Sequence, residues 1–314
     1  MRQVRPAAPP AAPPAAPGAE SVGPVSGPAR LEVAFAGEPG SFAEDAVLAA
    51  YPGAVAQPVP LFEDVVRAVA AGAVAAGALP IENVVGGGVR EVYDLLLDSE
   101  VAVVGEVIVP VRLCLAALPG QDIESIERVY SHIQALSQAE PFLRSRPWTL
   151  LAATNTAGSG RMIADRGELG AAAVLSPRAA GLFGLEILAE DIQAERSNRT
   201  RFLVLARPGA ASLPRPATAS PDGSRRSALV FSVRNEPGTL VRALGVIADH
   251  RINMTKLESR PSREGAWEYV FWVDLDADVC PASEDGEAFL QDLRAVCVWV
   301  RVMGCYPRCV EPDI

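Results

Sequence analysis

The feature that most constrains the fold is the alternation of short apolar runs with helical segments across residues 31–206. Residues 31–35 alternate in the manner of a strand, and Ser41 with Glu44 forms a capping-box pattern that opens a helix. Further strands are predicted at residues 55–61, 75–80, 101–110, 128–131, 148–153, 171–175 and 200–206, and helices at 63–71, 89–97, 134–144, 156–165 and 178–183. Strands separated by short helices indicate an α/β fold with largely parallel sheets, whose ligands bind beyond the strand ends.

A second region follows a stretch rich in Pro, Ala, Ser and Gly at residues 208–226, which is predicted to be a linker. Beyond it, strands are predicted at residues 228–233, 253–259, 268–274 and 298–303, and helices at 239–249 and 284–295. The resulting order, β-α-β-β-α-β, is typical of the ferredoxin-like α+β fold. We therefore expect one domain at residues 30–207, a linker at 208–226 and a second domain at 227–308.

Composition and charge exclude several classes of protein. The net charge is −10, whereas binding to nucleic acid requires a basic face. The apolar stretch at residues 68–81 is broken by Gly and Pro and is too short to span a membrane. Residues 1–29 are rich in Ala and Pro, and their prolines prevent the apolar helix of a secretion signal. A disordered tail and a cytoplasmic protein are expected.

The cysteine pattern favours free thiols. Five cysteines are an odd number and form no paired framework. Cys305 and Cys309 are close enough in sequence to suggest a metal pair. A zinc site would need further ligands, and His132 and His250 stand at no usable spacing. No metal and no other cofactor is expected.

Five polar segments interrupt the α/β pattern, mostly where a strand passes into a helix. They are Gly-Glu-Pro-Gly-Ser-Phe (37–42), Leu-Pro-Ile-Glu-Asn with a following Gly triplet (79–83 and 86–88), Ser-His-Ile-Gln-Ala-Leu-Ser-Gln (131–138), Asn-Thr-Ala-Gly (155–158) and Asn-Arg-Thr-Arg-Phe (198–202). Together they supply hydroxyls, one or two cations, and backbone N–H groups at helix N-termini. This combination suits a small anionic ligand.

Each segment alone has a second interpretation. The glycines at 86–88 lack the Lys and Ser/Thr of a phosphate-binding loop, so an ordinary turn is favoured. His132 is a candidate base, but a lone His after a strand is more often a structural hydrogen-bonding group. Glu82 is either a general acid or a residue that holds the neighbouring loop. Thr200 and Arg201 are common residues at the start of a strand.

Taken together and in this order, the segments resemble the prephenate dehydratase family over residues 31–308. The family's glycine-rich turn is matched at 37–42, its Pro-Ile-Glu-Asn segment at 80–83, its His-x-Gln-Ala-Leu-x-Gln segment at 132–138, its Ser-Thr-Ala motif at 155–157 and its Asn-x-Thr-Arg-Phe signature at 198–202. The last motif is the most specific. Two positions depart from the pattern, because Val84 and Asn155 stand where the family has serines. Both changes remove a hydroxyl near the expected cleft.

The resemblance implies conversion of prephenate to phenylpyruvate, with loss of carbon dioxide and water and without a metal or cofactor. It implies a bilobed domain like a periplasmic binding protein, with residues 31–110 and the strand near Thr200 in one lobe and the middle segment in the other. The implied catalytic residues are Thr200, as hydrogen-bond donor to the departing hydroxyl, with Arg201 and Glu82. The implied substrate-binding residues are Ser41, Asn83, Asn155, Thr156, Ala157, Asn198 and Phe202.

The C-terminal region resembles an ACT domain. Its two effector-loop motifs are matched by Gly238, Thr239 and Leu240, and by Glu258, Ser259, Arg260 and Pro261. The resemblance implies regulation by L-phenylalanine in a homodimer or homotetramer. A chain lacking residues from Pro208 onward is expected to stay active but to lose its response to phenylalanine, unless the truncation impairs assembly. Two alternatives remain, namely an arogenate dehydratase, which acts on the transaminated substrate, and a non-catalytic amino-acid sensor.

Overall fold

The structure of the chain, a computed structural model, describes residues 30–210, 213–262 and 269–312. The tail predicted at residues 1–29 lies outside the described residues. The strands are β1 (Glu32–Ala36), β2 (Val55–Val59), β3 (Ala76–Asn83), β4 (Gly87–Gly88), β5 (Ala102–Pro110), β6 (Cys114–Ala117), β7 (Arg128–Ser131), β8 (Thr149–Ala152), β9 (Ala171–Leu175), β10 (Glu186–Ala189), β11 (Arg199–Ala206), β12 (Arg225–Ser232), β13 (Met254–Pro261), β14 (Tyr269–Leu275) and β15 (Trp299–Pro307).

The helices follow the predicted order closely. They are α1 (Phe42–Ala50), α2 (Phe62–Ala70), α3 (Arg90–Leu97), α4 (Ile133–Gln138), α5 (Glu140–Leu143), α6 (Thr156–Arg166), α7 (Pro177–Leu182), α8 (Thr239–Asp249) and α9 (Glu284–Val296), with a 3₁₀ turn at Ile123–Ser125. Within the described ranges, none of them combines the length and the apolar composition that crossing a bilayer requires.

The first lobe is built on a sheet with strand order β2-β1-β3-β11-β5, to which the short β4 adds by pairing with β3. β1, β2 and β3 are parallel, whereas β11 runs antiparallel between β3 and β5. The chain reaches β11 only after it has built the second lobe. The prediction that the strand near Thr200 completes the first lobe is therefore confirmed. β2 lies at the sheet edge, which tolerates the missing N–H of Pro58.

The second lobe has strand order β10-β6-β9-β7-β8. The parallel strands β7, β8 and β9 are those that the sequence pattern predicts, whereas β6 and β10 run antiparallel and are not predicted. Because β6, β10 and β11 are antiparallel, both sheets are mixed rather than largely parallel. The predicted helix at residues 134–144 is divided into α4 and α5 at Ala139.

The C-terminal domain has the antiparallel strand order β13-β14-β12-β15. Helices α8 and α9 cover one face of this sheet, where Leu229, Phe231, Phe289 and Leu290 form a buried core. The predicted order β-α-β-β-α-β is confirmed. The fold therefore combines a bilobed α/β domain with a ferredoxin-like α+β domain.

The other face of the C-terminal sheet packs against the first lobe. Val230 and Trp272 share one buried core with Leu79 and Leu203. Trp272 also meets the ring of Tyr93 edge-on, with 5.2 Å between the ring centroids. Fully burying a large apolar side chain contributes about 1.5–3 kcal/mol. The two domains are therefore joined by a common apolar core.

The segment predicted as a linker also packs onto the first lobe. Within residues 213–224, Ala217 donates a backbone hydrogen bond of 2.7 Å to the Ala50 carbonyl. The ring of Pro216 lies over Gly105, where a Cβ would approach it to 3.0 Å. Arg225 and Arg226 belong to β12. The composition of this segment predicted a linker, but at Ala217 its backbone is hydrogen-bonded to the first lobe.

Candidate active site

The side chains of Asn83 and Thr200 meet where β3 and β11 run side by side. The two residues are partners in the antiparallel ladder, and Asn83 Nδ2 donates a hydrogen bond of 3.0 Å to Thr200 Oγ1. Asn83 Oδ1 accepts from the backbone N–H groups of Val85 and Gly86, at 3.1 and 2.7 Å. These bonds fix the orientation of the amide. The Thr200 hydroxyl therefore accepts from Asn83 and keeps its own proton to donate to a ligand.

Asn198 and Phe202 lie beneath this pair and not in the cleft. Asn198 Oδ1 accepts a hydrogen bond of 2.8 Å from Asn83 Nδ2. Phe202 packs against Val107 and Val204 in the core of the first lobe. Each of the two residues is only 2% exposed. Their burial corrects the prediction that they bind substrate, and their contacts instead hold Asn83 and β11 in place.

A cleft opens between the two lobes in front of Thr200. Its main cavity has a volume of about 410 Å³ and an apolar wall that includes Phe42, Phe62, Val111 and Leu113. A second cavity of about 240 Å³ adjoins it and shares Phe42, His132 and Thr156 with it. The predicted substrate-binding residues that line the two cavities are Ser41, Asn83, Asn155, Thr156 and Ala157.

Several helices begin at the second cavity. Ser41 and Asn155 line it as the N-cap residues of α1 and α6, and the shorter α4 and α7 begin there at His132 and Ser176. A helix N-terminus carries partial positive charge and unpaired N–H groups. Of the described residues that line the two cavities, none is a lysine or an arginine. Carboxylates can therefore be held here by helix N-termini and hydroxyls.

Ion pairs join the two lobes at this end of the cleft. Glu38, in the loop before α1, pairs with Arg161 of α6 at 2.8 Å. Arg178 of α7 pairs with Glu44 and Asp45 of α1. Burial raises the pKa of the Asp45 carboxyl, and the ion pair with Arg178 opposes that effect. These pairs keep the start of α1 close to the start of α6.

Glu82 and Arg201 point away from the cleft. Successive side chains of a strand face opposite sides of the sheet, so the neighbours of Asn83 and Thr200 face the C-terminal domain. Glu82 pairs with Lys256 of β13 at 2.9 Å. Arg201 pairs with Asp274 of β14 and lies 3.6 Å from Glu106. This placement corrects the assignment of both residues to the catalytic group.

A second large cavity, of about 400 Å³, lies on this far side of β3 and β11. Five basic residues line it, namely Arg199, Arg201, Arg226, Lys256 and Arg308. They pair with the carboxylates of Glu82, Glu106, Asp274, Asp276 and Glu311. Burial alone would lower the pKa of Arg201, but the facing carboxylate of Asp274 raises it above its ordinary value. Among these described residues the charges balance, so the cluster joins the two domains.

Sequence reasoning missed several residues that line the cleft. Phe62, Val111 and Leu113 belong to none of the motifs, and an apolar side chain at such positions looks like an ordinary core residue. His132 and Gln134 do belong to a motif. His132 Nδ1 accepts a hydrogen bond of 3.3 Å from the backbone of Gln134, which agrees with the structural interpretation. With Nδ1 accepting, the neutral ring carries its proton on Nε2.

The two departures from the family pattern have different consequences. Asn155 lies in the cleft, and its side chain accepts from the Gly158 N–H as a serine at an N-cap does. Val84 is 57% exposed and lines the far cavity. A hydroxyl at residue 84 would therefore face the far cavity, so of the two positions only Asn155 lies in the cleft.

The first effector motif forms a small pocket in the C-terminal domain. Gly238 has a φ of +84° and is the N-cap of α8, a backbone conformation that favours glycine. Thr239 Oγ1 donates a hydrogen bond of 2.6 Å to the Arg234 carbonyl. Together with Leu240, Tyr269 and other residues, they line a cavity of about 180 Å³. This space has an aromatic wall and a helix N-terminus.

The second effector motif lies elsewhere in the same chain. Arg260 pairs with Asp94 of α3 at 2.8 Å. A Cβ at Gly88 would lie 3.7 Å from a carboxylate oxygen of Glu258. The alternate residues Ser259 and Pro261 are exposed. Within one chain the two effector motifs therefore lie apart. Glu258 and Arg260 face the first lobe.

One group of described residues has the spacing of metal ligands. Asp278, Cys280 and Cys305 place their ligand atoms within 4.8 Å of one another. The group therefore brings Cys305 near Cys280, and Cys309 is not part of it. Arg225 pairs with Asp278 at 2.7 Å, and burial raises the pKa of the Cys305 thiol to about 11. Arg225 therefore already neutralises the Asp278 carboxylate, and the Cys305 thiol is held in its protonated form.

Comparison with known proteins decides the family. The model of the prephenate dehydratase family matches residues 33–210, and that of the ACT domain matches residues 227–278. The chain belongs to the prephenate dehydratase family. It is a dehydratase, a hydro-lyase that acts in aromatic amino acid biosynthesis. The ACT match ends before α9 and β15, which complete the same domain in the structure.

Individual relatives agree with this family. The "Arogenate dehydratase/prephenate dehydratase 2, chloroplastic" of Arabidopsis thaliana is 39% identical over 292 residues, which are 90% of this chain and 74% of that protein. A solved prephenate dehydratase of Arthrobacter aurescens in complex with L-Phe has a TM-score of 0.77 and 27% identity, over 90% of this chain and 92% of that one. A protein described as "GqqA- a novel type of quorum quenching acylases" has a TM-score of 0.78 and 30% identity, over 88% and 98%.

Proposed function

We propose that this protein converts prephenate to phenylpyruvate. The observation that carries the proposal is the arrangement of one cleft, with the Thr200 hydroxyl held by Asn83 at one end and the starts of α1 and α6 at the other. Prephenate has the matching shape, with a hydroxyl on C4 and two carboxylates attached through C1. In the reaction the C1 carboxylate leaves as carbon dioxide, and its bonding electrons enter the ring. The C4 hydroxyl departs as water once it has gained a proton.

Thr200 assists the departure of the hydroxyl. Its proton is free to be donated, because Asn83 occupies the oxygen as a donor. Phe42, Phe62 and Val111 wall this part of the cleft, and a hydrogen bond aimed at developing charge is stronger where water is excluded. A positioned proton donor contributes about 10²- to 10⁴-fold in rate. Aromatisation of the ring supplies the driving force.

The charge of the cleft favours prephenate over arogenate. The two compounds differ in one group, a keto group in prephenate and an ammonium in arogenate. Of the described residues that line the cleft, Glu38 is the carboxylate, and it is paired with Arg161. The second carboxylate, which both compounds carry, can meet the helix N-termini. The ammonium of arogenate, by contrast, would find no unpaired carboxylate among these described residues.

Steady-state turnover of both compounds by the full chain tests this proposal. We expect a higher kcat/KM for prephenate, and activity that survives exhaustive chelation. A higher kcat/KM for arogenate would make the protein an arogenate dehydratase. If the protein turned over neither compound, the non-catalytic sensor would be the better interpretation.

The similarity to the acylase does not supply a competing mechanism. Acyl transfer by a hydroxyl nucleophile needs a base within hydrogen-bonding distance. In the cleft, Ser41 Oγ accepts from the Glu44 backbone, and the His132 ring accepts from the Gln134 backbone. Neither of these hydrogen bonds joins Ser41 to His132, so the geometry favours dehydration.

We further propose that L-phenylalanine inhibits the enzyme by binding the pocket at Gly238. The helix N-terminus there suits a carboxylate, and Tyr269 and Phe271 offer an aromatic wall. The related Arthrobacter protein was solved with L-Phe. Because Glu258–Pro261 lies apart from this pocket in one chain, we propose that a second copy supplies that motif in a homodimer.

Calorimetry and inhibition assays test this regulation. Gly238→Val should abolish binding of phenylalanine and leave kcat unchanged, because a β-branched residue cannot adopt a φ of +84° without strain. Coupling between such sites is typically about five- to 150-fold. Millimolar phenylalanine that neither binds nor inhibits the wild type would contradict the proposal.

A further inference from the structure

Glu38 lines the second cavity of the cleft, and Arg161 pairs with it there. The proposed function places the C4 hydroxyl of the substrate at Thr200, which directs C1 and its side arm toward this cavity. That cavity is lined by Glu38 together with the N-caps Ser41 and Asn155. The arm carries a keto group in prephenate and an ammonium in arogenate. A charge in this cavity therefore acts on the one group that distinguishes the two compounds.

Glu38 and Arg161 form a bidentate ion pair that joins the two lobes. Arg161 Nη2 donates a hydrogen bond of 3.0 Å to Glu38 Oε1, and Nη1 lies 2.8 Å from Oε2. The Glu38 side chain is 25% exposed and that of Arg161 is 50% exposed. Oε2 is buried and accepts no hydrogen bond of good geometry. The pair is neutral as a whole, but its carboxylate retains an unfilled acceptor.

We propose that Arg161 is a specificity-determining residue, which neutralises Glu38 and so makes the cleft select the keto acid over the amino acid. This inference rests on the proposed function. An unpaired Glu38 would attract the ammonium that only arogenate carries, whereas the side-arm carboxylate, which Glu38 would repel, is common to both compounds. Specificity is a difference between two affinities, and a charge at Glu38 changes that difference through the ammonium. The test is therefore a ratio of kcat/KM values and not a single rate.

Substitution of each partner should move the ratio in opposite directions. In the full chain, Arg161→Gln is expected to raise the arogenate-to-prephenate ratio of kcat/KM by about tenfold, an effect typical of one charge a few ångströms from a partly solvated group. Glu38→Gln leaves Arg161 unpaired, so the same ratio should fall several-fold. The double variant Glu38→Gln/Arg161→Gln should return the ratio to within about twofold of the wild type.

A matched control lies on the same helix. Arg166 of α6 is 62% exposed and lies 4.0 Å from Glu168, away from the cleft. Arg166→Gln removes the same charge from the same helix and should leave the ratio unchanged. Circular dichroism and thermal melts establish that each variant is folded. Because both partners of the cleft pair are partly exposed, neither single change leaves a fully buried charge.

The outcomes separate this inference from the function on which it rests. An active wild type whose ratio does not move in Arg161→Gln overturns the inference alone. A similar shift in Arg166→Gln, or a shift that persists in the double variant, also overturns it, because the effect would then not act through Glu38. A wild type that turns over neither compound overturns the proposed function and this inference with it.

Discussion

Two cavities of nearly equal size lie on opposite faces of β3 and β11, and they differ in charge. The cleft, of about 410 Å³, is lined by apolar side chains, amides and hydroxyls. The cavity at the domain interface, of about 400 Å³, contains five cations that face a matching set of carboxylates. The same two motifs supply both faces, because neighbouring residues of a strand point to opposite sides.

The difference shows how one motif serves two purposes. A neutral hydroxyl or amide can face a cavity without a charged partner, whereas a buried charge needs one. Asn83 and Thr200 are therefore suited to meet a ligand that comes and goes. Glu82 and Arg201 are suited to a permanent contact with the C-terminal domain. Substitutions on the two faces should therefore differ in what they change, stability on one face and turnover on the other.

Ending the chain at Arg207 should have the largest effect. The deletion uncovers the core at Leu203, removes Trp272 from Tyr93 and leaves Glu106 without Arg226. We expect a poorly soluble protein or one whose Tm falls by about 10 °C or more, since each kcal/mol shifts Tm by about 2–4 °C at this size. Thermal melts and dye binding to exposed apolar surface measure this.

That expectation replaces the simple one drawn from the sequence, in which the truncated enzyme stays active. A soluble truncated chain with the wild-type Tm and kcat would show that the shared core is dispensable. A full-length chain purified in parallel is the control.

Arg201→Gln should have the next largest effect, on stability. Asp274 is fully buried, and Arg201 is the cation paired with it among the described residues. Removing one partner of a buried pair costs about 3–5 kcal/mol. Denaturant unfolding should show this loss. Arg199→Gln is the matched control, because Arg199 pairs with the exposed Glu311 and should cost less than about 1 kcal/mol. Equal losses in the two variants would contradict the proposed role of the interface.

Thr200→Val should leave stability almost unchanged but lower kcat by about 100-fold or more. The substitution keeps the shape of the side chain and removes the donor that faces the cleft. Thr200→Ser retains the hydroxyl and should recover most of the rate. A folded Val variant with nearly normal kcat would show that the donor is another group.

Glu82→Gln should have the smallest effect. Glu82 is 39% exposed and pairs with Lys256 on the interface face, and such partly exposed pairs contribute about 0–1 kcal/mol. We expect kcat within about twofold of the wild type. A 100-fold loss of kcat would show that Glu82 takes part in catalysis, and that the two faces do not differ in function in this way.

The sequence predicted the bounds of several helices and strands correctly. The α8 bounds and the β7 and β9 bounds agree with the structure residue for residue, and the N-cap at Ser41 is present. β6 and β10 were not predicted, although β7 has the same length of four residues. The Pro-Ile-Glu-Asn segment was expected to follow a strand, yet β3 continues through Asn83.

The candidate site was predictable in its motifs but not in its orientation. Asn83 and Thr200 were both identified from the sequence, and they meet as expected. Glu82 and Arg201 belong to the same motifs but face the C-terminal domain. Phe62 and Leu113 complete the cleft without any motif. Apolar cleft walls resemble core positions, so the sequence offered no signal for them.

Most of the order of elements, the family resemblance and the residues able to do chemistry could be read from the sequence, because these depend on local patterns and on side-chain type. Only the tertiary structure decided which face of β3 and β11 looks into the cleft. The period of a strand separates Thr200 from Arg201, but it does not say which side is covered. That choice depends on the C-terminal sheet, which packs on one face of the first lobe through Trp272 and leaves the other face to the cleft.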